Sequence, residues 1–169
     1  WPAAGCARLP VVSEVDPAGA SSVDMARAER ALDDLLDLGG VAAPHELPRL
    51  VDDTALALGA VAAAIHLVDL QQVALTPFPE PGHPPVTELP APLVIDSTIA
   101  GRVYQHDEVI VQTTSDAGAP VTVWLPLRDG ADRLGVLAVT LQEPSLVEDA
   151  DSPTSRLLRR LAAITSDLI

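Results

Sequence analysis

Residues 121–140 contain two runs of β-branched and aliphatic side chains, separated by the polar stretch RDGAD at residues 128–132. Strand-forming runs on either side of a short, glycine-containing connection predict an antiparallel hairpin. The second run does not alternate, since Val136, Leu137 and Val139 place apolar side chains on both faces of the pleat. We therefore expect both faces of the hairpin to be covered, one by the protein's own helices and the other by a ligand or a partner chain.

Apolar residues at alternating spacings of three and four predict a longer helix near each end of the chain. The first begins at Asp24, a good N-cap residue, and ends at the glycine pair 39–40. The last spans residues 153–169 and starts with a proline, which is favoured in the first turn. A further helix is predicted from residue 44 or 46 to residue 58, and a short one at residues 98–105.

Strands are predicted at residues 61–68, 73–76 and 109–112, in addition to the hairpin. Residues 77–92 include seven prolines, which exclude a helix or a central strand there. This order of elements predicts an α+β fold. Its central antiparallel sheet has the long terminal helices on one face and a short helix plus a proline-rich loop on the other.

The composition restricts the partners and the chemistry of the protein. A formal net charge of −14 argues against nucleic acid or an anionic membrane as partner, because both repel such a field. The longest apolar run, residues 54–68, is shorter than a bilayer is thick, so no transmembrane segment is expected. Cys6 is the single cysteine, which excludes an intrachain disulfide or thiolate zinc site and suits a cytoplasmic protein.

All ten basic residues are arginines, and the chain contains neither Lys nor Asn. The absence of lysine excludes a Gly-Lys phosphate loop and a Schiff-base lysine. The absence of both residue types also indicates GC-rich coding, as in an actinobacterium.

The apolar stripes of the two terminal helices have the spacing of a coiled-coil seam, but each is only about two heptads long. Such a stripe packs either on the protein's own sheet or against a helix of a partner, and the residues alone leave both alternatives open. The stripe residues are Met25, Leu32, Leu35, Leu157, Leu161, Ile164 and Leu168.

Three segments together resemble a GAF domain: IHLVD at residues 65–69, STIAGRVYQHDEVIV at residues 97–111, and WLPLRDGADRLGVLAVT at residues 124–140. The resemblance covers roughly residues 45–142. It is greatest to the sensor domains of actinobacterial SpoIIE-type, metal-dependent serine/threonine phosphatases. It implies a GAF/PAS-like fold and a cytoplasmic module that senses a small ligand or signal, forms a homodimer through its terminal helices, and controls an attached output domain.

The composition, the helix patterns and the resemblance together predict a division of the chain into four parts. These are a flexible tail or linker at residues 1–22, an N-terminal helix at residues 23–43, a GAF-like sensor domain at residues 44–145 and a C-terminal signalling helix at residues 146–169. The helix at the C-terminal end would lead toward an output domain.

Several GAF subtypes can be compared with the sequence. The Asn-Lys-Phe-Asp-Glu motif of members that bind cyclic nucleotides is absent, since the chain has neither Asn nor Lys. Cys6 alone provides neither the catalytic cysteines of members that reduce free methionine sulfoxide nor a bilin attachment site within the domain. Haem could be held only through a histidine such as His66, which we do not expect. The cofactor therefore stays unknown.

Four residues are candidates for lining a ligand pocket: His66, Arg102, Tyr104 and Trp124. His66 and Trp124 lie in predicted strands, where such residues are more often core residues than ligand contacts. Arg102 could bind a carboxylate or phosphate, or could pair with Asp96 or Glu108.

Residues 106–108, His-Asp-Glu, place three potential metal ligands side by side, but adjacent residues of an extended segment point to opposite faces. We therefore expect no metal site. No nucleophile with a paired base is visible, so we expect no enzyme activity. The alternatives are a structural dimerisation module without a ligand and a small enzyme acting through His66 or His106.

Overall fold

The computed structural model describes residues 24–78, 91–113 and 118–169. The predicted tail at residues 1–22 and residues 79–90 of the predicted proline-rich loop lie outside these ranges.

The four described α-helices are α1 (Met25–Gly39), α2 (Leu47–Ala57), α3 (Ile99–His106) and α4 (Pro153–Leu168). The six described strands are β1 (Ala60–Val68), β2 (Ala74–Pro77), β3 (Leu93–Val94), β4 (Ile110–Gln112), β5 (Val121–Asp129) and β6 (Asp132–Leu141). Short 3₁₀ turns occur at Pro44–Glu46, Ile95–Ser97 and Pro144–Leu146. Among the described helices, none is long and apolar enough to cross a membrane.

The strands form one antiparallel sheet in the order β3-β2-β1-β6-β5-β4. The predicted hairpin is β5 and β6, joined by a two-residue turn in which Gly130 has a positive φ of 56°. Positive φ at this position is easily adopted only by glycine and a few polar residues, which explains the turn sequence. The long strands β1, β6 and β5 lie in the middle of the sheet, where both of their edges are paired.

One face of the sheet carries the main core. Helix α2 packs on β1, α4 packs on β5, and α1 packs on both helices. On β5 the residues that face this layer are at odd positions, from Val121 to Leu127, and they are almost fully buried. The core consists of aliphatic side chains, as the scarcity of aromatic residues requires.

The opposite face is covered in part by α3. The buried residues there are Leu75, Ile95, Ala100, Val103, Tyr104 and Val136. Gly101 allows α3 to approach closely, since a Cβ at that position would overlap the backbone carbonyl of Ile95. The predicted α+β architecture is confirmed, with the long helices on one face of the antiparallel sheet and the short helix on the other.

The apolar stripes of the terminal helices face the protein's own core. Five of their residues are buried within the single chain: Leu32, Leu35, Leu157, Leu161 and Ile164. Met25 is 40% exposed, and Leu168 packs partly buried at the margin of the core. The stripe therefore stabilises the fold of one chain, and its five buried residues are not available to a partner helix. This is the first of the two alternatives for the stripe, packing on the protein's own sheet, and a dimer through the terminal helices stays a prediction.

Candidate functional site

The face of the sheet opposite the long helices carries a row of small and polar side chains across β1, β6 and β5. Cross-strand partners on this face are Ala64 with Ala138, Trp124 with Ala138, and His66 with Val136. Ala62 and Ala64 are exposed, whereas Val136 lies buried beneath α3. The exposed Ala62 and Ala64 thus form a part of the sheet beside α3 that no described residue covers.

His66 is buried on β1, with 7% of its surface exposed. Its Nδ1 atom has no hydrogen-bond partner in the described part of the chain. A buried polar group left without a partner costs about 1–3 kcal/mol, so a partner from outside these residues would stabilise it. Burial lowers the pKa of His66 below its ordinary value, and the smaller effect of the Ala64 backbone acts in the opposite direction. The imidazole is therefore neutral at physiological pH.

Trp124 lies two strands away on β5, and its ring is tilted against the ring of His66, with centroids 5.9 Å apart. The indole Nε1 donates a hydrogen bond to Oε1 of Gln112 on the edge strand β4, at 2.8 Å. This bond holds the indole ring in place against the edge strand β4. The part of the ring that is not buried forms a flat apolar surface next to the histidine.

The structure brings three of the four candidate residues to this face. Tyr104 of α3 is buried in the same cluster as Trp124. Arg102 is different, because its Nε donates to Oε1 of Glu108 at 2.8 Å and its side chain is 67% exposed. Pairing with Glu108 was one of the two alternatives for Arg102, and this arginine does not contribute to the site.

The residues of the predicted His-Asp-Glu cluster take separate roles. His106 is the last residue of α3, and Asp107 is its left-handed C-cap, with φ 58°. The Asp107 carboxylate pairs with the guanidinium of Arg128, whereas Glu108 pairs with Arg102. The two carboxylates thus contact different arginines and do not converge.

Two contacts near the site could not be predicted from spacing. Gln112 is an edge-strand residue whose role depends on the register between β4 and β5. Asp52 of α2 accepts a hydrogen bond from the backbone N–H of Ala63 at 2.7 Å, next to the register shift between Ala60 and Ala62 on β1. It thereby supports the strand that carries His66.

A depression of about 630 Å³ lies elsewhere, at the connection between α1 and α2. Its wall includes Arg49 and Asp53, which form a highly exposed ion pair at 3.7 Å. An open, solvated rim of this kind gives little binding energy. The face at His66 is the better candidate, since it combines an aromatic ring with a buried nitrogen that has no partner within the described ranges.

No protein-family model matches the sequence, and no curated protein is similar enough to be recognised as a relative. Solved structures do match. The GAF domain of a phosphoenolpyruvate-protein phosphotransferase from Coxiella burnetii superposes with a TM-score of 0.67 at 14% identity, covering 85% of this chain and 93% of that chain. The GAF domain of the potassium sensor histidine kinase KdpD from Escherichia coli gives 0.56 at 16% identity, covering 83% and 91%.

A free methionine-R-sulfoxide reductase from Neisseria meningitidis, solved with its substrate, superposes with a TM-score of 0.61 at 15% identity, covering 88% of this chain and 91% of that chain. At such low identities the likeness concerns the fold, and the fold occurs both in signalling proteins and in an enzyme. The six-stranded antiparallel sheet, the helical layer behind it and these superpositions together show that the chain has the GAF fold.

Proposed function

We propose that the protein is a regulatory domain that senses a small ligand bound on the sheet face at His66 and Trp124. The observation that carries the proposal is the buried Nδ1 of His66, which has no hydrogen-bond partner among the described residues, beside a half-buried indole 5.9 Å away between ring centroids. Matching GAF domains from a sensor histidine kinase and a phosphotransferase support the regulatory role, and so does a matching chemotaxis protein fragment.

The chemistry of the face defines the class of ligand. Its side chains are Ala62, Ala64, His66, Thr122, Trp124, Ala138 and Thr140. None of these carries a charge at neutral pH, since burial keeps the histidine neutral. A strongly charged ligand would lose hydration without gaining a counter-ion. The proposed ligand is therefore small and uncharged, with a flat apolar part against Trp124 and a hydrogen-bonding group that reaches His66.

The output of the domain is the finer part of the proposal. We propose that α4 transmits the signal to an attached domain, a SpoIIE-type serine/threonine phosphatase of an actinobacterium, in the cytoplasm and as a homodimer. A homodimer would use surface residues, and α1 offers Met25 and Leu36, which are 40% and 48% exposed. They are eleven residues apart, about three helical turns, and so lie on the same side of the helix.

Two other functions are weaker. A structural dimerisation module supplies no ligand for the Nδ1 of His66, which has no hydrogen-bond partner among the described residues. An enzyme like the methionine sulfoxide reductase would need cysteine chemistry, and Cys6 is the only cysteine of the chain. We therefore propose that the protein is not an enzyme of that kind.

Native mass spectrometry of the protein, purified from a bacterial host of GC-rich genome, tests the sensing role. We expect an extra, releasable mass on the wild type and on His45→Ala, a matched control that removes an exposed histidine. The extra mass should be lost in Trp124→Ala and reduced in His66→Ala. If the wild type carries no mass and ligand-observed NMR with an uncharged heteroaromatic fragment library gives no binding that depends on Trp124, the sensing proposal is wrong.

A further inference from the structure

The C-terminal end of α3 is held by a contact outside the helix. Asp107 caps α3 in the left-handed conformation, with φ 58° and ψ 38°, and its backbone N–H donates to the carbonyl of Val103 at 2.9 Å. Aspartate adopts this conformation more readily than most residues with a Cβ, because its short side chain can make a local polar contact. The contact here is the ion pair between the Asp107 carboxylate and the Arg128 guanidinium. The position of the end of α3 therefore depends on Arg128.

Arg128 lies where the pairing of β5 with β6 is irregular. Leu127 pairs with Gly135 and Arg128 with Arg133, so Leu134 has no partner on β5. The backbone N–H of Arg128 donates instead to Oγ of Ser166 on α4, at 2.9 Å. Such an extra residue redirects the strand and releases backbone groups from the ladder, which leaves this N–H free to reach a helix.

Ser166 connects this contact to the backbone of α4. The serine is 6% exposed, and its hydroxyl donates to the carbonyl of Ala162 one turn earlier, at 3.0 Å. The hydroxyl of Ser166 thus accepts a hydrogen bond from β5 and donates another within α4. A shift of the Arg128 backbone would change the last two turns of α4 directly.

The guanidinium of Arg128 is oriented by its own turn, since Nη2 donates to the carbonyl of Gly130 at 2.9 Å. Its side chain thereby contacts α3 on one face of the sheet while its backbone contacts α4 on the other face. The ion pair between Arg102 and Glu108 connects no separate elements, because both residues belong to α3 or to the segment directly after it. The side chains of Arg128 and Asp107 are 42% and 33% exposed, so this ion pair adds little to the free energy of unfolding. Its effect is to hold the C-terminal end of α3 in place next to the hairpin.

We propose that Arg128 mechanically couples α3 to the C-terminal turns of α4, so that a movement of α3 on the ligand face reaches the signalling helix. The role in signalling rests on the proposed function, whereas the coupling itself is a property of the unliganded fold. The ligand would shift α3, the Asp107–Arg128 pair would carry the shift to the hairpin, and Ser166 would pass it to α4. Arg128 is thus a positioning residue and need not touch the ligand.

Amide hydrogen exchange of the full chain without ligand tests the coupling. The variant Asp107→Asn removes the charge that holds Arg128, and we expect about threefold or faster exchange at residues 162–167 of α4. Glu108→Gln is the matched control, since it removes the neighbouring carboxylate that pairs with Arg102. This control should leave the same α4 amides within about twofold of the wild type.

The double variant shows whether the effect passes through Ser166. In a Ser166→Ala background the contact from Arg128 to α4 is already absent, so Asp107→Asn should add no further change beyond about twofold at residues 162–167. An unchanged α4 in Asp107→Asn, or an equal acceleration in both backgrounds, would overturn the role of Arg128. The assay contains no ligand, so a failed coupling with the bound mass retained overturns this inference alone. An absent mass together with no Trp124-dependent binding in the NMR screen overturns the sensing proposal alone.

Discussion

The imidazole of His66 and the indole of Trp124 lie with their centroids 5.9 Å apart and their planes 55° to each other, one on β1 and one on β5. Between these strands, β6 contributes Val136 and Ala138, which pair with the two aromatic residues. The small side chain of Ala138 lets the rings approach across the intervening strand. The only buried side-chain nitrogen or oxygen without a partner in the described ranges thus lies beside a half-buried indole.

The burial of His66 predicts that stability falls as the pH is lowered. Burial lowers the pKa of His66 in the folded state below the value of 6.5 expected in the unfolded chain. Above pH 6.5 the residue is neutral in both states and has no effect on the free energy of unfolding. Below it the unfolded chain takes up the proton first, so stability is lost progressively as the pH falls from 6.5 through the folded-state pKa, by at most about 1.4 kcal/mol per pH unit.

Denaturant unfolding between pH 7.5 and 5 measures this dependence. The variant His66→Gln should flatten the curve, while the exposed control His45→Gln should keep the slope of the wild type. Carboxylates titrate mainly below this range, so they disturb the comparison little. A slope that is the same in His66→Gln and in the wild type would show that His66 takes up its proton equally in both states.

The hydrogen bond from Trp124 to Gln112 predicts a role for the edge strand β4 in fixing the indole. The variant Gln112→Ala removes the acceptor of a bond that is 2.8 Å long and partly exposed. We expect a loss of about 0.5–1.5 kcal/mol in the free energy of unfolding, together with a clear shift of the Trp124 indole N–H signal in the proton–nitrogen NMR spectrum. The matched control Gln105→Ala removes an amide on α3 that donates to Asp96 of the preceding 3₁₀ turn, and should leave that signal in place. An unchanged indole signal in Gln112→Ala would mean that this bond does not hold the ring.

The main elements could be predicted from the sequence because each long segment has a clear periodicity. Alternation in residues 121–127 and the three-four spacing in residues 153–169 correspond to β5 and α4. Strand β3 was not predicted, since two residues, Leu93 and Val94, are too few to show a period. The same spacing could not decide what α4 packs against, because a helix presents one apolar stripe whether the partner is its own sheet or another chain.

The site was only partly predictable, since its residues meet through strand register. His66 and Trp124 were both candidates from their residue types, but their contact depends on two cross-strand pairings through β6. Arg102 was a candidate because of its chemistry, and the structure pairs it with Glu108. Arg128 belongs to the polar connection of the predicted hairpin, and its spacing from Asp107 does not indicate that the two side chains pair.

Because Leu161 is buried, we expect the apolar stripe of α4 to stabilise the folded single chain. Leu161 is fully buried in the core of the single chain, so Leu161→Ala should lower the free energy of unfolding by about 2–5 kcal/mol. Leu36→Ala is the matched control, because this leucine of α1 is 48% exposed and its truncation should change stability by about 0.5 kcal/mol or less. Denaturant titrations at two protein concentrations measure both effects. A loss in Leu161→Ala that disappears at high protein concentration would indicate instead that the residue stabilises an oligomer.

The close approach of α3 to the preceding 3₁₀ turn predicts a large difference between two glycine-to-alanine variants. A Cβ at Gly101 would overlap the backbone carbonyl of Ile95, which cannot rotate away, so Gly101→Ala should push α3 off the sheet. We expect a loss of about 1–3 kcal/mol in the free energy of unfolding and a shift of the Trp124 indole signal.

Gly40→Ala is the matched control for this change. Gly40 follows α1 with a φ of −66°, and its nearest neighbour would lie at 3.6 Å from the added Cβ, so alanine fits without strain. It should leave stability unchanged or raise it by about 0.4–1 kcal/mol, since alanine restricts the unfolded chain. Equal effects of the two variants would mean that α3 can move away from Ile95 at no cost. In that case α3 would be loosely held on the sheet, and a ligand would need little energy to displace it.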